Sequence, residues 1–249
     1  MHEHRFFVPR EWIQGSHVRL EAPLAHQVAR VLRLRPGRQI VLLDGSGWAY
    51  RVKLGRVSAT LVEGKVLARF APKTEPSVRF VLCQALLKGK HFDWVLQKGT
   101  ELGVKVFLPL FTRHGVVRGD EDFAKTKLPR WQRIVQEAAE QAGRAVLPEV
   151  RPPVEFPLAC QVLPEGALAL MSCLQEGTVP LREALAVGEK PPREVWIFVG
   201  PEGGFAKEEV ALAQRRGVHL VSLGPRVLRS ETAALAVMAA LLYALGEME

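Results

Sequence analysis

The residues most suggestive of chemistry are Gly200-Pro201-Glu202-Gly203-Gly204, which close the apolar run 194–199. Glycines placed directly after a buried strand let a ligand approach the main chain without a Cβ in the way. A polyphosphate cradle adds Lys, Ser or Thr to such a loop, whereas Glu202 puts a negative charge in it and repels phosphate. The Walker A spacing is absent and the glycines do not follow G-x-G-x-x-G, which argues against nucleoside triphosphates and dinucleotides. A loop of this kind suits a small neutral or cationic ligand, and a sulfonium cofactor meets that description. The simpler reading is a strand-to-helix turn with Glu202 solvated.

A second set of residues is cationic. Residues 1–70 hold twelve Lys and Arg, ten of them Arg, against five Asp and Glu, so they carry most of the net charge of +8. A basic module joined to a nearly neutral one is the charge layout of a phosphate-backbone-binding domain attached to an enzyme, although a basic surface also serves solubility alone. His26, Arg30, Arg33, Arg35 and Arg38 cluster in this stretch and are the candidates for phosphate contact. A third set, Arg133, Glu137, Glu140, Gln141 and Arg144, recurs at helical spacing opposite Ile134, Val135 and Ala138, the pattern of a solvated helix side. Cys83, Cys160 and Cys173 are odd in number, far apart and without a C-x-x-C pair, which points to reduced packing residues.

The elements that must position these residues divide into two. Residues 38–70 alternate apolar and polar, with turns expected at 44–47 and at Glu63-Gly64, and read as an antiparallel meander. Before it, Pro23 opens a short helix ending ahead of Pro36-Gly37, with Arg30 and Arg33 three apart on one face. Residues 71–77, polar with two prolines, are the linker candidate. From Val78 the pattern turns to strand then helix, with strands at 78–86, 105–111, 166–172, 194–200 and 218–224, a long helix around 124–142 and another at 206–216. That is an α/β domain with buried parallel strands, whose ligands bind beyond the carboxyl ends of the strands, at the loops beginning at Ser172, Gly200 and Gly224.

Ser230 can cap a final helix whose residues 232–245 carry no charge and show no polar face. Such a helix needs cover on every side, and fourteen residues are too few to span a bilayer, so the expected arrangement is a homodimer that buries it against a partner subunit. No apolar run reaches membrane-spanning length and residues 1–5 lack a signal-peptide core, so the expected compartment is the cytoplasm.

"GPEGGF" (200–205) followed by "LGPRVLRSETAA" (223–234) resembles the paired signature of the RsmE family, the small-subunit (16S) ribosomal RNA uridine N3-methyltransferases of the SPOUT class. "HRFFVP" (4–9), "HQVARVLRLRPG" (26–37), "KGTELGV" (98–104) and "RWQRIVQEAAEQAGR" (130–144) are similar to further family segments in the same order. The resemblance implies a PUA-like β-barrel for RNA over 1–72. It also implies a SPOUT methyltransferase domain over 73–249 that threads into a trefoil knot, binds S-adenosylmethionine and dimerises.

Carried over by position, the cofactor would be held by Leu174, Gly200, Pro201, Glu202, Gly203, Leu223, Gly224, Val227, Leu228, Thr232 and Ala233. Uridine N3 is a poor nucleophile until it loses its proton, so the reaction needs a base or a cation that stabilises the anionic ring. Arg229 is assigned to stabilise or orient the base, and Glu231 to position Arg229 or accept the proton; a carboxylate in a first helical turn is also favourable without any catalytic role. The same resemblance raises Arg133, Gln141 and Arg144 to candidates for RNA contact. Two rival functions stand beside this one: a non-enzymatic ribosomal RNA-binding assembly factor, and a metabolic enzyme using a nucleotide phosphate.

Overall fold

The computed structural model describes residues 3–119, 122–175, 177–185 and 191–248. The chain forms two compact units: residues 1–75 with 139–147, and residues 76–138 with 148–249. The division thus falls between Glu75 and Pro76, inside the 71–77 segment, but the first unit also recruits a later stretch.

The first unit is a six-stranded sheet built from β1 (Arg5–Phe7), β2 (Ile13–Gln14), β3 (His17–Glu21), β4 (Gln39–Leu43), β5 (Ala49–Val57) and β6 (Leu61–Phe70), in the order β1-β4-β5-β6-β3-β2. All pairings are antiparallel except β1 with β4. Alternate residues such as Val18, Leu20, Ile40, Leu42, Val52, Leu54 and Val62 enclose its core. Glu63-Gly64 does not form a turn: both lie inside β6. A Cβ on Gly64 would stand 2.7 Å from Val52 Cγ1 and 2.8 Å from the Lys53 carbonyl oxygen, so the glycine answers to close strand packing. The reversal comes earlier, where the Ser58 hydroxyl donates to the Leu61 carbonyl oxygen at 2.8 Å and accepts the Leu61 N–H at 3.1 Å. The segment after Pro23 is one short turn, α1 (Leu24–His26), running into a wider π-type turn over Gln27–Val31. Arg33 lies past it at φ 52°, so Arg30 and Arg33 do not share a helical face.

In the second unit, β7 (Arg79–Ala85), β8 (Val106–Phe111), β9 (Glu149–Val150), β10 (Val154–Glu155), β11 (Leu168–Ser172), β12 (Val179–Pro180), β13 (Glu194–Val199) and β14 (His219–Ser222) form an all-parallel sheet. Its order is β10-β8-β7-β13-β11-β14-β12, with β9 also pairing β8. The helices are α2 (His91–Glu101), α3 (Phe123–Ala142), α4 (Phe156–Gln161), α5 (Leu181–Leu185), α6 (Lys207–Arg215) and α7 (Ser230–Ala244). The strands are apolar on both sides because both faces are covered. Phe80, Leu82, Val195, Ile197 and Leu170 face α2, α7 and the first part of α3. Val81, Cys83, Trp196, Phe198 and Met171 face α4 and α6.

Among the described residues, α7 is covered on one side only. Ala233, Ala234, Val237, Met238, Leu241 and Leu242 are buried, whereas Thr232, Ala240, Tyr243 and Ala244 are exposed. No helix among the described residues is long and apolar enough to cross a membrane.

Candidate functional site

Register explains why three loops converge. Gln84, Val199, Ser172 and Val221 lie level across β7, β13, β11 and β14, so the chain leaves the last three strands at one edge of the sheet. A cavity of about 490 Å³ opens there. That volume suits a cofactor-sized organic molecule. Ser172 to Gln175, Val199 to Phe205, Leu223, Gly224, Arg226 to Ser230 and Ala233 form its wall.

The wall contains Leu174, Gly200, Pro201, Glu202, Gly203, Leu223, Gly224, Val227, Leu228 and Ala233, all ten brought together from three separate stretches, with Arg229 among them. Thr232 and Glu231 are not part of it. Leu174, 69% exposed, and Val227, 80% exposed, stand at the mouth as apolar side chains available to cover a ligand. Ser172, Cys173 and Arg226 join the wall from the loops expected to hold it, whereas Gln175, Phe205 and Ser230 are not singled out by the sequence as ligand contacts and reach the site through strand register.

The Gly-rich loop is pinned from below and from the side. Ser230 does not cap α7; the N-cap position is Arg229. The Ser230 hydroxyl instead donates to the Gly200 carbonyl oxygen and accepts from Gln84 Nε2 at 2.9 Å, tying α7, β7 and the loop at one buried point. From the side, His114 Nδ1 lies 3.1 Å from the Gly203 carbonyl oxygen, and a Cβ on Gly203 would come within 3.2 Å of His114 Cβ. Gly204 follows at φ 68°. Glu209 fixes the start of α6, accepting the N–H groups of Ala206 at 2.8 Å and Arg113 at 2.9 Å. Glu202 is exposed, as a turn residue would be.

Electrostatically, Arg226 and Arg229 are exposed cations on the wall, and Glu202 is an exposed carboxylate of the same wall. Burial raises the pKa of the Cys173 thiol, so it is a neutral wall group rather than a thiolate. Glu231 meets His91 at the start of α2: its Oε1 lies 3.0 Å from His91 Nδ1, and its side chain is 12% exposed.

His26, Arg30, Arg33, Arg35 and Arg38 are all exposed on the first unit. Arg133 is exposed on α3 beside Glu137, at 3.6 Å, and Gln141 is exposed in the last turn. Arg144 is a correction. Its side chain is 2% exposed and pairs with Glu75 at 2.6 Å, so it is a structural cation unavailable to RNA. The helix stops at Ala142, and Gly143, at φ 75°, turns the chain inward before the stripe can continue.

Residues 74–242 match the RNA methyltransferase domain family, which defines the class of the second unit. Among curated relatives, the ribosomal RNA small subunit methyltransferase E of Synechocystis sp. is 34% identical over 92% of this chain and 74% of its own length. That of Bacillus subtilis is 32% identical over 88% and 86%. The crystal structure of a ribosomal RNA small subunit methyltransferase E from Neisseria gonorrhoeae bound to S-adenosyl methionine superposes with a TM-score of 0.88, at 32% identity over 98% of both chains. The chain belongs to the ribosomal RNA small subunit methyltransferase E family.

Proposed function

We propose that this chain transfers a methyl group from S-adenosylmethionine to N3 of a uridine in small-subunit (16S) ribosomal RNA. The observation that carries the reading is the cavity at the ends of β11, β13 and β14, rimmed by Arg229, in a chain of this family. The residues present suit the cofactor. The wall combines main chain exposed by glycine with apolar Leu223, Val227, Leu228 and Ala233, and the carboxylate of Glu202 suits a cationic ligand. The family relative from Neisseria gonorrhoeae is bound to the same molecule.

The bound cofactor supplies an electrophilic methyl on a sulfonium; the chain must supply alignment and charge. Gly200 to Gly204 and Leu223 to Leu228 hold the cofactor, with the Ser230 bridge keeping the first loop at fixed height. Arg229 stabilises the uracil ring as negative charge develops on it, a guanidinium being permanently protonated. His26, Arg30, Arg33, Arg35 and Arg38 contact RNA phosphates from a PUA-like first unit, with Arg133 and Gln141 as further RNA contacts.

We read the second unit as SPOUT-type, with the stretch after β14 threaded as a trefoil knot. Support comes from β14 lying beyond β11 while α7 returns to pack on α2, its first residue locked to Gly200. The exposed stripe of α7 is the surface of a homodimer, and the cytoplasm is the compartment where ribosomal RNA is met. The test is incubation with labelled S-adenosylmethionine and unmodified small subunits, with the new methyl group located by mass spectrometry. N3-methyluridine is the expected product; a stable cofactor complex that leaves the subunit unmethylated would overturn the assignment.

A further inference from the structure

The reaction read above needs an acceptor for the N3 proton, and three side chains at or beside the start of α7 are candidates: Arg229 on the cavity wall, Glu231, and His91, which pairs with Glu231. Arg229 cannot accept a proton. Glu231 is 12% exposed and occupied by His91. His91 opens α2 just beyond the end of β7, next to Glu231, and its side chain is 48% exposed. With Nδ1 3.0 Å from the Glu231 carboxylate, the neutral ring keeps its proton on Nδ1, and Nε2 presents a lone pair. Nε2 has no partner among the described residues.

We infer that His91 is the general base of this protein, with Glu231 as the residue that sets its tautomer and balances its charge. The inference rests on the methyltransferase reading and assigns the proton within it. In the step, the N3–H bond breaks and its proton passes to His91 Nε2, while the N3 electron pair forms the new bond to the methyl carbon. The carbon–sulfur bond breaks with its electron pair on sulfur, so the sulfonium becomes a neutral thioether. The positive charge of the sulfonium is thereby replaced by that of an imidazolium, which faces the Glu231 carboxylate and later yields its proton to water.

The surroundings suit a base that must cycle between neutral and cationic forms. Lys88 and Lys90, on its own segment, are exposed and attract the RNA backbone. Asp93 is held by Arg130 of α3, which leaves Glu231 as the carboxylate paired with the imidazole. The geometry is the carboxylate–imidazole arrangement of nucleophilic triads, with a nucleobase nitrogen in place of the hydroxyl.

The test uses the full chain and unmodified small subunits. His91→Asn removes the proton acceptor but keeps an amide that can face Glu231. It should bind S-adenosylmethionine within twofold of the wild type by calorimetry, while single-turnover methylation falls by about 10²–10⁴-fold, the span of general-base contributions. Added imidazole should restore at least about tenfold of the rate lost in His91→Gly, since a structural role is not replaced by a diffusing base. Independently of turnover, nitrogen-15 spectra of labelled histidine should show the Nδ1–H tautomer at His91, and Glu231→Gln should erode that preference. Wild-type rates in His91→Asn, absent imidazole rescue, or an Nε2–H tautomer would each overturn the assignment of His91 while leaving the methyltransferase reading intact. Failure of the wild type to make N3-methyluridine would overturn both.

Discussion

Glu75→Gln decides whether Arg144 is structural. In the folded chain the Arg144 guanidinium is 2% exposed and meets Glu75 twice, Nη2 to Oε2 at 2.6 Å and Nε to Oε1 at 3.2 Å. The Val146 N–H also donates to Glu75 Oε1, at 3.4 Å. Neutralising the carboxylate removes the Glu75 charge from a buried pair, and breaking such a pair costs about 3–5 kcal/mol. Gln still offers an acceptor and Glu75 is one-quarter exposed, so the lower end, about 3 kcal/mol, is expected. At about 2–4 °C per kcal/mol for a protein of this size, the Tm should fall by about 6–12 °C. Scanning calorimetry and urea denaturation would read it, with RNA affinity measured on the folded fraction. Replacing both partners, as in Glu75→Leu with Arg144→Met, should recover most of the loss, because the buried charge is gone. A Tm within about 1 °C of wild type in Glu75→Gln, or an Arg144→Gln variant that keeps its stability and loses only RNA affinity, would refute the reasoning, since surface substitutions cost no more than about 0.5 kcal/mol.

Four further outcomes are expected. Ser230→Ala strands the Gly200 carbonyl and takes one acceptor from Gln84 Nε2, which keeps the Ala85 carbonyl oxygen, at about 1–3 kcal/mol, and calorimetry should show S-adenosylmethionine affinity falling by about tenfold or more. Gly64→Ala forces a Cβ against Val52 and the Lys53 carbonyl oxygen, and urea denaturation should show a loss of about 1–3 kcal/mol in the first unit. Cys173, half-buried on the cavity wall, should react with a thiol reagent before fully buried Cys83, and saturating S-adenosylmethionine should slow it selectively. Partial burial raises the Asp44 pKa, but hydrogen bonds from Ser46 and Tyr50 outweigh it and leave the pKa lowered. A lowered carboxyl pKa contributes stability above about pH 4 that is lost as pH falls through the folded-state value, so Asp44→Asn should destabilise the protein at pH 7 and have little effect near pH 2.

What the sequence discloses follows from the range of the forces involved. The strands at 79–85 and 194–199 are legible because residues covered on both faces leave an uninterrupted apolar run, and the Gly-rich loop is legible because a ligand approaching main chain restricts residue type. Glu63-Gly64 misleads because glycine inside a strand, required there by the Val52 side chain of the neighbour, looks like a turn. The true reversal at residues 58–60 uses a serine hydroxyl, a weaker local signal. Arg144 misleads for a related reason: helical spacing cannot reveal that the helix ends two residues earlier and that the next turn is buried. Ser230 reads as a cap because caps are local, while its actual partners, Gln84 and Gly200, are distant in the chain. His91 carries no signal at all until the fold brings Glu231 to it.

The first unit is not finished by the first stretch of chain. Its Phe7 N–H is accepted by Glu140 at 2.9 Å, Thr74 donates to the Gly143 carbonyl oxygen, and Ala145 packs with Val41, Leu43 and Ala49. As the protein emerges during synthesis, the meander can form early but waits for residues 139–147 to close its accounts of hydrogen bonds and apolar cover. By then, β7 and β8 and most of α3 have also been made. The basic surface is thus translated ahead of the second unit yet is among the later ones to be completed, and a fragment ending at residue 72 would lack part of its own interior.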